Sequence, residues 1–505
     1  MIKKQRITII LSAVLILITC VIYFAAVKPF IEARSAAEEA PETLEGEALS
    51  ASNKYYIYSQ LTRDQMKSIE VSNESGTYRF VKVNGDFVIE GHEGIAVDST
   101  MLSSLVVSCG TTLSTTKVMD NAPDEKLEEY GLLEPHAYWI VTDNSGKQYK
   151  VYVGRELLTG QGYYCMFAGR KSVYVLDDTL AYTVLSPVEA YVTPYILLGI
   201  SQDDYYTIDN FSVYRDGAKF ITVGLVPTEN QTNSEALAEH ILTYPAPYAP
   251  NTTTLYSLFM RFIAFTGEST YKLGADEESL DGCGLGEPEY MVSFDYKSRE
   301  YYFLVSPPDD DGYCYVVSNV YSDIITKIPK ESLDFLDYGM MDWISSYIFQ
   351  YYITSVSEIS IATDNTNVTF SLSHGYDSNG ANALAVKVDG GSAITSTSEI
   401  NNFRQYYKTL LSIDVQDYLP ETVPETGEEI SGIVSDDSRR NMVFTVTDLS
   451  GEKVTYEFYR YTTRRAAVKV NGNAEFYVPY DIVQKIENDT LRFLNGEEID
   501  SYGKN

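Results

Sequence analysis

Apolar and polar residues alternate through most of this chain, in short runs broken by Gly, Asn, Asp and Ser. SIEVSNESGTYRFVKVNGDFVIEG, Ser68 to Gly91, shows the pattern well. Its turn signals at Ser75-Gly76 and Asn84-Gly85 predict a meander of antiparallel strands. DSTMLSSLVVSCG follows with a different period. Asp98 or Ser99 can cap a helix that carries Met101, Leu102, Leu105, Val106 and Cys109 on one stripe. An acidic connection, KVMDNAPDEKLEEYGLLEP, leads back to strands. AYWIVTDNSGKQYKVYVG predicts a hairpin turning at Asn144-Ser145-Gly146, and GYYCMFAGRKSVYVLD another turning near Gly169.

The same order recurs. DNFSVYRDGAKFITVG, Asp209 to Gly224, predicts a hairpin at Asp216-Gly217, and Thr253 to Phe265 a helix with Leu255, Phe259, Phe262 and Ile263 on one face. CGLGEP, YMVSFDYKSREYYFLV and GYCYVVSNVYSDIITKI then follow. Gly131 and Gly284 lie 153 positions apart, and Gly162 and Gly312 lie 150 apart. Features shared in one order at nearly one offset identify an internal repeat. A third copy is fainter. Ser357 to Gly375 supplies the hairpin, and Thr395 to Ile413 a helix with Ile400, Phe403, Tyr407 and Leu410 on one stripe. Thr447-Asp448 and Ser450-Gly451 stand where Thr142-Asp143 and Ser145-Gly146 stood, and a hairpin at Asn471-Gly472 closes the copy. DYLPETVPETGEE replaces the Gly-Leu-x-Glu-Pro corner. The expected fold class is therefore α+β. It consists of three tandem modules over 55–200, 201–348 and 349–505, each of antiparallel hairpins with one covering helix.

The N-terminus breaks the pattern. Ile7 to Val27 carries no charge, and such a run, as a helix, spans about the ~30 Å hydrocarbon core of a bilayer. Lys3, Lys4 and Arg6 precede it, which predicts a cytoplasmic tail at 1–6, a transmembrane helix at 7–27 and an extracytoplasmic body. A cleaved signal peptide would have a shorter apolar run and a small-residue site. Thr19 before Cys20, with apolar residues continuing beyond, also argues against a lipoprotein box. Residues 28–54, rich in Ala and Glu, are expected to form a solvated acidic stalk.

A net charge of −33 argues against nucleic acid as a partner, and against docking on anionic lipid through a basic patch. The lipid contact expected is the N-terminal helix itself. The 43 Tyr suit half-buried strands, with a sugar-stacking surface as the sharper alternative. Cys109, Cys165, Cys283 and Cys314 allow three disulfide pairings or free buried thiols, and their spacing fits no zinc motif.

YGL-x-x-P, a hairpin with a short polar turn, G-x-G-Y-Y and a closing VYVL strand together resemble the domain of unknown function 4340 family. The residues that carry the likeness are Tyr130, Gly131, Leu132, Pro135, Gly160, Gly162, Tyr163, Tyr164 and Val173 to Leu176. The second copy keeps Gly284, Leu285, Pro288, Gly312 and Tyr313 but has Cys283 in place of the first Tyr. The resemblance implies an envelope protein with a short cytoplasmic tail, one anchor and an outward body. Family members often accompany an ABC transporter and its auxiliary subunit of the gliding-motility type, so transporter subunits are the partners it implies. The family has no assigned catalytic residues to carry over.

No catalytic constellation is legible. His92, His136, His240 and His374 are scattered among different elements. Asp309, Asp310 and Asp311 lack the alternating ligand spacing of a calcium loop and are expected to form an exposed acidic turn. In GYYC and GYCY the one-residue shift of the cysteine is expected to place it on opposite strand faces, with the tyrosine rings packed under the helix. No catalytic residue, cofactor or metal is expected, and the small-molecule ligand is not readable. Tyr130, Gly131, Leu132, Pro135, Gly162, Tyr163, Gly284, Leu285, Pro288, Gly312 and Tyr313 are expected to be structural. The expected function is a non-enzymatic, membrane-anchored accessory or scaffold protein, a partner of an ABC transporter. The alternative is an array of cell-wall or glycan binding modules, with or without hydrolytic activity. Rows of exposed Tyr beside a cleft would favour the second.

Overall fold

The computed structural model describes residues 44–50, 54–111, 116–227, 239–376 and 382–500. The expected transmembrane helix at 7–27 lies outside them, and no helix among the described residues is long and apolar enough to cross a membrane.

The fold is α+β, with antiparallel sheets that repeat one strand order. In the first sheet the order is Asp86–Ile89, Gly76–Val83, Met66–Asn73, Ala137–Asp143, Gln148–Glu156, Tyr163–Phe167, Val173–Leu176 and Thr116–Met119. In the second it is His240–Tyr244, Ala218–Leu225, Asp209–Arg215, Tyr290–Tyr296, Arg299–Val305, Tyr313–Ser318, Ile324–Pro329 and Ser269–Leu273. The third begins Ala393–Ile394, Asn382–Val388, Asn367–Tyr376 and Val356–Thr363. It continues Arg440–Asp448, Lys453–Arg460, Arg465–Val470, Asn473–Pro479 and Asp417–Tyr418. It thus has one more edge strand but the same path. A meander folds first, the chain crosses over a helix, an edge strand is laid down, and a second meander pairs with the first strand of the first. The copy that diverges most in sequence keeps this topology.

Local chemistry accounts for the turns. Asn84-Gly85, Asp216-Gly217 and Asn471-Gly472 all have positive φ at both positions, the two-residue hairpin geometry that matches strand twist. Asp143 Oδ1 accepts from Ser145 N at 2.8 Å and Lys147 N at 3.0 Å. Asp448 Oδ1 does the same for Ser450 N at 2.8 Å and Glu452 N at 2.9 Å. The Thr-Asp match seen in sequence is therefore one turn built twice.

The expected helices form as Ser99–Thr111, Thr252–Phe262 and Thr397–Leu411, started by Asp98, Asn251 and Ser396, whose side chains accept backbone N–H groups. The second stops short of the expected end, and Ala264–Thr266 is a strand. The expectation of one covering helix per module needs correcting. In the first module Asp178–Leu185 packs beside Ser99–Thr111 over strands Met66–Asn73 and Ala137–Asp143. In the third, Tyr480–Leu494 packs against Thr397–Leu411. An eight-stranded sheet is about 35 Å wide at ~4.8 Å per strand, whereas a helix with its side chains covers about 10 Å. One helix leaves too much apolar face wet.

The chain divides into two compact units. The first holds the described residues up to Tyr195 with Glu268–Ala275 and Asp323–Thr326. Its core is built on Ile69, Phe80, Trp139, Val141 and Val151. The second holds Ile196–Gly267, Asp276–Ser322 and the residues from Lys327 on. There one apolar cluster runs from Ile196 to Ile499, so the second and third modules share a core.

Part of the expected stalk is folded. Ala48–Leu49 pairs with Tyr55–Tyr56, and the Glu47 side chain is fully buried against Lys117 Nζ at 2.9 Å. Arg170 Nη1 lies 3.7 Å from Glu47, and the Tyr174 hydroxyl donates to it. A carboxylate is tolerated in that position because two cations and a phenol satisfy it. Composition alone hides such a residue among solvated glutamates.

Candidate functional site

The repeated corner has a definite geometry. The acidic connection contains a short helix, Asp124–Glu129, and its counterpart is Glu277–Gly282. Gly131 N donates to Glu128 O at 3.0 Å and Leu132 N to Leu127 O at 2.7 Å. Gly284 N donates to Asp281 O at 3.0 Å and Leu285 N to Leu280 O at 2.8 Å. This is a Schellman cap in both copies, with glycine in the left-handed region at φ +69° and +78°. Leu132 and Leu285 are buried, while Pro135 and Pro288 stand half-buried just before the strands that follow. Tyr130 stacks on Tyr164 at 4.2 Å. Cys283, in the equivalent position, donates its Sγ–H to Ser279 O instead.

One residue of this corner was not visible in the repeat. A Cβ at Gly154 would sit 2.2 Å from Tyr130 O, so the strand can pass the cap only with glycine there. At Gly131 a Cβ would lie 2.8 Å from the Arg155 side chain, and at Gly284 3.3 Å from Pro307 Cδ. In the third module the helix Ile430–Ser435 holds the same place, but Asp436 and a 3-10 turn at Asp437–Arg439 end it without glycine.

Gly162 and Gly312 differ in their reasons. A Cβ at Gly162 would meet Leu176 O at 2.3 Å, whereas Gly312 faces open space and needs only its φ of +82°. The expectation for GYYC and GYCY is corrected in part, because Cys165 and Cys314 are both fully buried. The register between Gln148–Glu156 and Tyr163–Phe167 shifts between Val153 and Glu156, which absorbs the one-residue offset. Tyr164 packs beside Leu127 of the short acidic helix. Tyr163 is half-buried, and Tyr313 lies under Lys327 Nζ at 4.1 Å. The four described cysteines are free thiols, and burial pushes Cys314 up to about 11.

The histidines remain apart. His92 pairs with Asp323, His374 Nε2 donates to Val356 O at 2.8 Å, and His136 is exposed. Asp309 spends its carboxylate on its own turn, accepting from Tyr313 N at 2.8 Å, Asp311 N at 3.0 Å and the Tyr315 hydroxyl at 3.1 Å. Among the described residues no cluster of three or more His, Cys, Asp or Glu could hold a metal.

The structure gathers one feature that sequence reasoning missed. In the second unit, residues 344–355 join the second and third sheets as a strap laced on both sides. Ser345 N donates to Ala249 O at 2.7 Å, Ile348 N to Ile413 O at 3.2 Å and Val415 N to Ser346 O at 2.7 Å. Cavities of 880 Å³ and 690 Å³ border the strap. Both are lined by Tyr347, Tyr351 and Tyr352, and Tyr347 and Tyr352 are 53% and 62% exposed. The larger adds His240, Tyr256, Phe349 and Tyr407, and the smaller Tyr248, Tyr456 and Phe476. Clefts of this size between modules, mostly apolar with a few polar groups, are the usual form of a small-molecule site.

Several of these groups are fixed by bonds. Tyr407 donates to Tyr351 O at 2.6 Å and Tyr456 to Ile348 O at 3.1 Å. His240 Nε2 donates to Ile208 O at 2.8 Å, leaving Nδ1 to accept from the Tyr256 hydroxyl at 3.1 Å. Burial holds the His240 pKa below the ordinary imidazole value, so the ring is neutral. The face of the Thr397–Leu411 helix turned to the larger cavity carries Arg404, Tyr407, Lys408 and Leu411, spaced as one helical stripe. The cleft can offer ring faces, hydrogen-bond acceptors and two cations.

Residues 88–277 match the model of a family described as a domain of unknown function, DUF4340. Over this stretch the chain is similar to that family. The DUF4340 match opens in the first meander, passes through Tyr130, Gly131, Leu132, Pro135, Gly162 and Tyr163, and ends at the start of the second acidic helix. No curated protein and no solved structure matches the chain.

Proposed function

We propose that this chain is a membrane-anchored, extracytoplasmic protein that works without catalysis, as an accessory or scaffold beside an ABC transporter. The observation that supports a binding role is the strapped cleft, which the second and third modules build together. The transporter partnership and the anchor rest on the family resemblance and on the uncharged run Ile7 to Val27. Crosslinking in native membranes, with identification of the captured proteins, tests the role. Transporter subunits are the expected catch, and peptidoglycan fragments alone would count against it. Protease added to intact cells should digest the body. Digestion only after lysis would overturn the outward orientation.

A second reading, a glycan-binding array, is favoured by the tyrosines of the cleft. They come from a connecting strap and a helix, not from a row on a sheet face. Their rings nonetheless border a cavity in the way that stacking on sugars requires.

A further inference from the structure

We propose that the larger cavity, lined by Tyr256, Tyr352, Tyr407, Arg404 and Lys408, binds an acidic oligosaccharide: pyranose rings that carry carboxylates. The inference rests on the glycan-binding reading and specifies its ligand.

Three features of the lining converge on that chemistry. The walls are ring faces, and Tyr352 on the strap is exposed enough to receive the apolar face of a sugar. The polar atoms between the rings favour a donor-rich ligand. Glu239 contributes a carboxylate, and Gln350 spends its amide nitrogen on Ser345 Oγ at 2.6 Å and Tyr347 O at 2.7 Å, which leaves its amide oxygen for a hydroxyl. Arg404 and Lys408 add positive charge one helical turn apart. Neither has a hydrogen-bond or ion-pair partner among the described residues, in a chain with 71 Asp and Glu. Where acids outnumber bases so heavily, two neighbouring exposed cations that pair with no carboxylate, Glu239 of the same lining included, mark a place suited to an incoming anion. Arg and Lys bind carboxylates through charge-assisted bonds.

A peptide is the competing acidic ligand, and the strap argues against it. Peptides in clefts commonly add to a free backbone edge. Here Ser345 N, Ile348 N and the carbonyls of Ser346, Tyr347, Ile348 and Tyr351 are already bonded within the protein.

The test is calorimetric titration of the full chain in detergent with tri-galacturonic acid, uncharged cellotriose and the tripeptide Glu-Glu-Glu. The wild type should bind tri-galacturonic acid about tenfold more tightly than cellotriose, the worth of a modest charge-assisted contact. Arg404→Gln with Lys408→Gln should erase that preference, so that tri-galacturonic acid binds no more tightly than cellotriose. Tyr352→Ala should weaken both sugars, with a circular-dichroism melt confirming that each variant is folded. Cellotriose binding equally well, the tripeptide binding as tightly as tri-galacturonic acid, or the double variant keeping the preference would each overturn the inference and leave the glycan reading standing. Binding of neither sugar would sink both.

Discussion

The Schellman corner of the first two modules and the strapped cleft of the second unit are opposite kinds of feature. The corner is written into the sequence twice, at Gly131 and Gly284, and does the same thing in both places. It ends a short helix and sends the chain into the strand that pairs with the first meander. Among the described residues the cleft occurs once, and it draws on parts of the chain as distant as His240, Tyr352 and Lys408. Repetition here marks what the fold needs. The single, asymmetric junction is where a ligand site has room to arise.

The largest expected effect breaks the corner from outside its motif. Gly154→Ala places a Cβ 2.2 Å from Tyr130 O and should cost about 3 kcal/mol, the upper end for overpacking. Denaturant unfolding of the full chain measures it. Gly131→Ala combines a left-handed backbone with a contact on Arg155, for about 2 kcal/mol. Gly284→Ala meets only Pro307 Cδ at 3.3 Å and should cost about 1 kcal/mol. Equal losses at Gly131 and Gly284 would mean that Arg155 contributes nothing.

The cleft should respond differently. His240 is held neutral by burial, so its folded pKa lies below the unfolded value of about 6.5. Above that value its contribution to stability is complete. As pH falls through it the unfolded state takes up a proton that the folded state refuses, and the contribution is lost until the folded pKa is passed. The melting temperature of the second unit should therefore decline between neutral and mildly acid pH, and His240→Gln should decline less steeply. A parallel slope in the variant would remove His240 from that account. The smallest effect on stability is expected at exposed Tyr352, where Ala should stay within about 0.5 kcal/mol.

Much of the fold was legible because its signals are local. Asn84-Gly85 and Asp216-Gly217 declare their turns, and Leu102, Leu105 and Val106 declare a helix with their spacing. The Gly-Leu corner was visible as a repeat. The helix it caps was not, since DEKLEE buries only Leu127 and offers no apolar period. The signal of Tyr480–Leu494, with Ile482, Val483, Ile486 and Phe493 at helical spacing, stands outside the hairpin pattern of the repeat. Glu47 looked like one more solvated acid until Lys117 and Arg170 were found around it. The cleft could not be read at all. Tyr256, Tyr352 and Tyr407 meet only because the second and third modules share a core, and nothing in their local sequence separates them from other tyrosines of the chain.

The most direct test of the contrast is the melting temperature of Gly131→Ala, read together with its affinity for tri-galacturonic acid. A loss of about 2 kcal/mol corresponds to a drop of about 4–8 °C in a domain of 150–250 residues. The account predicts that drop with the affinity unchanged. An unchanged melting temperature with binding abolished would contradict it, and would make the repeated corner the site.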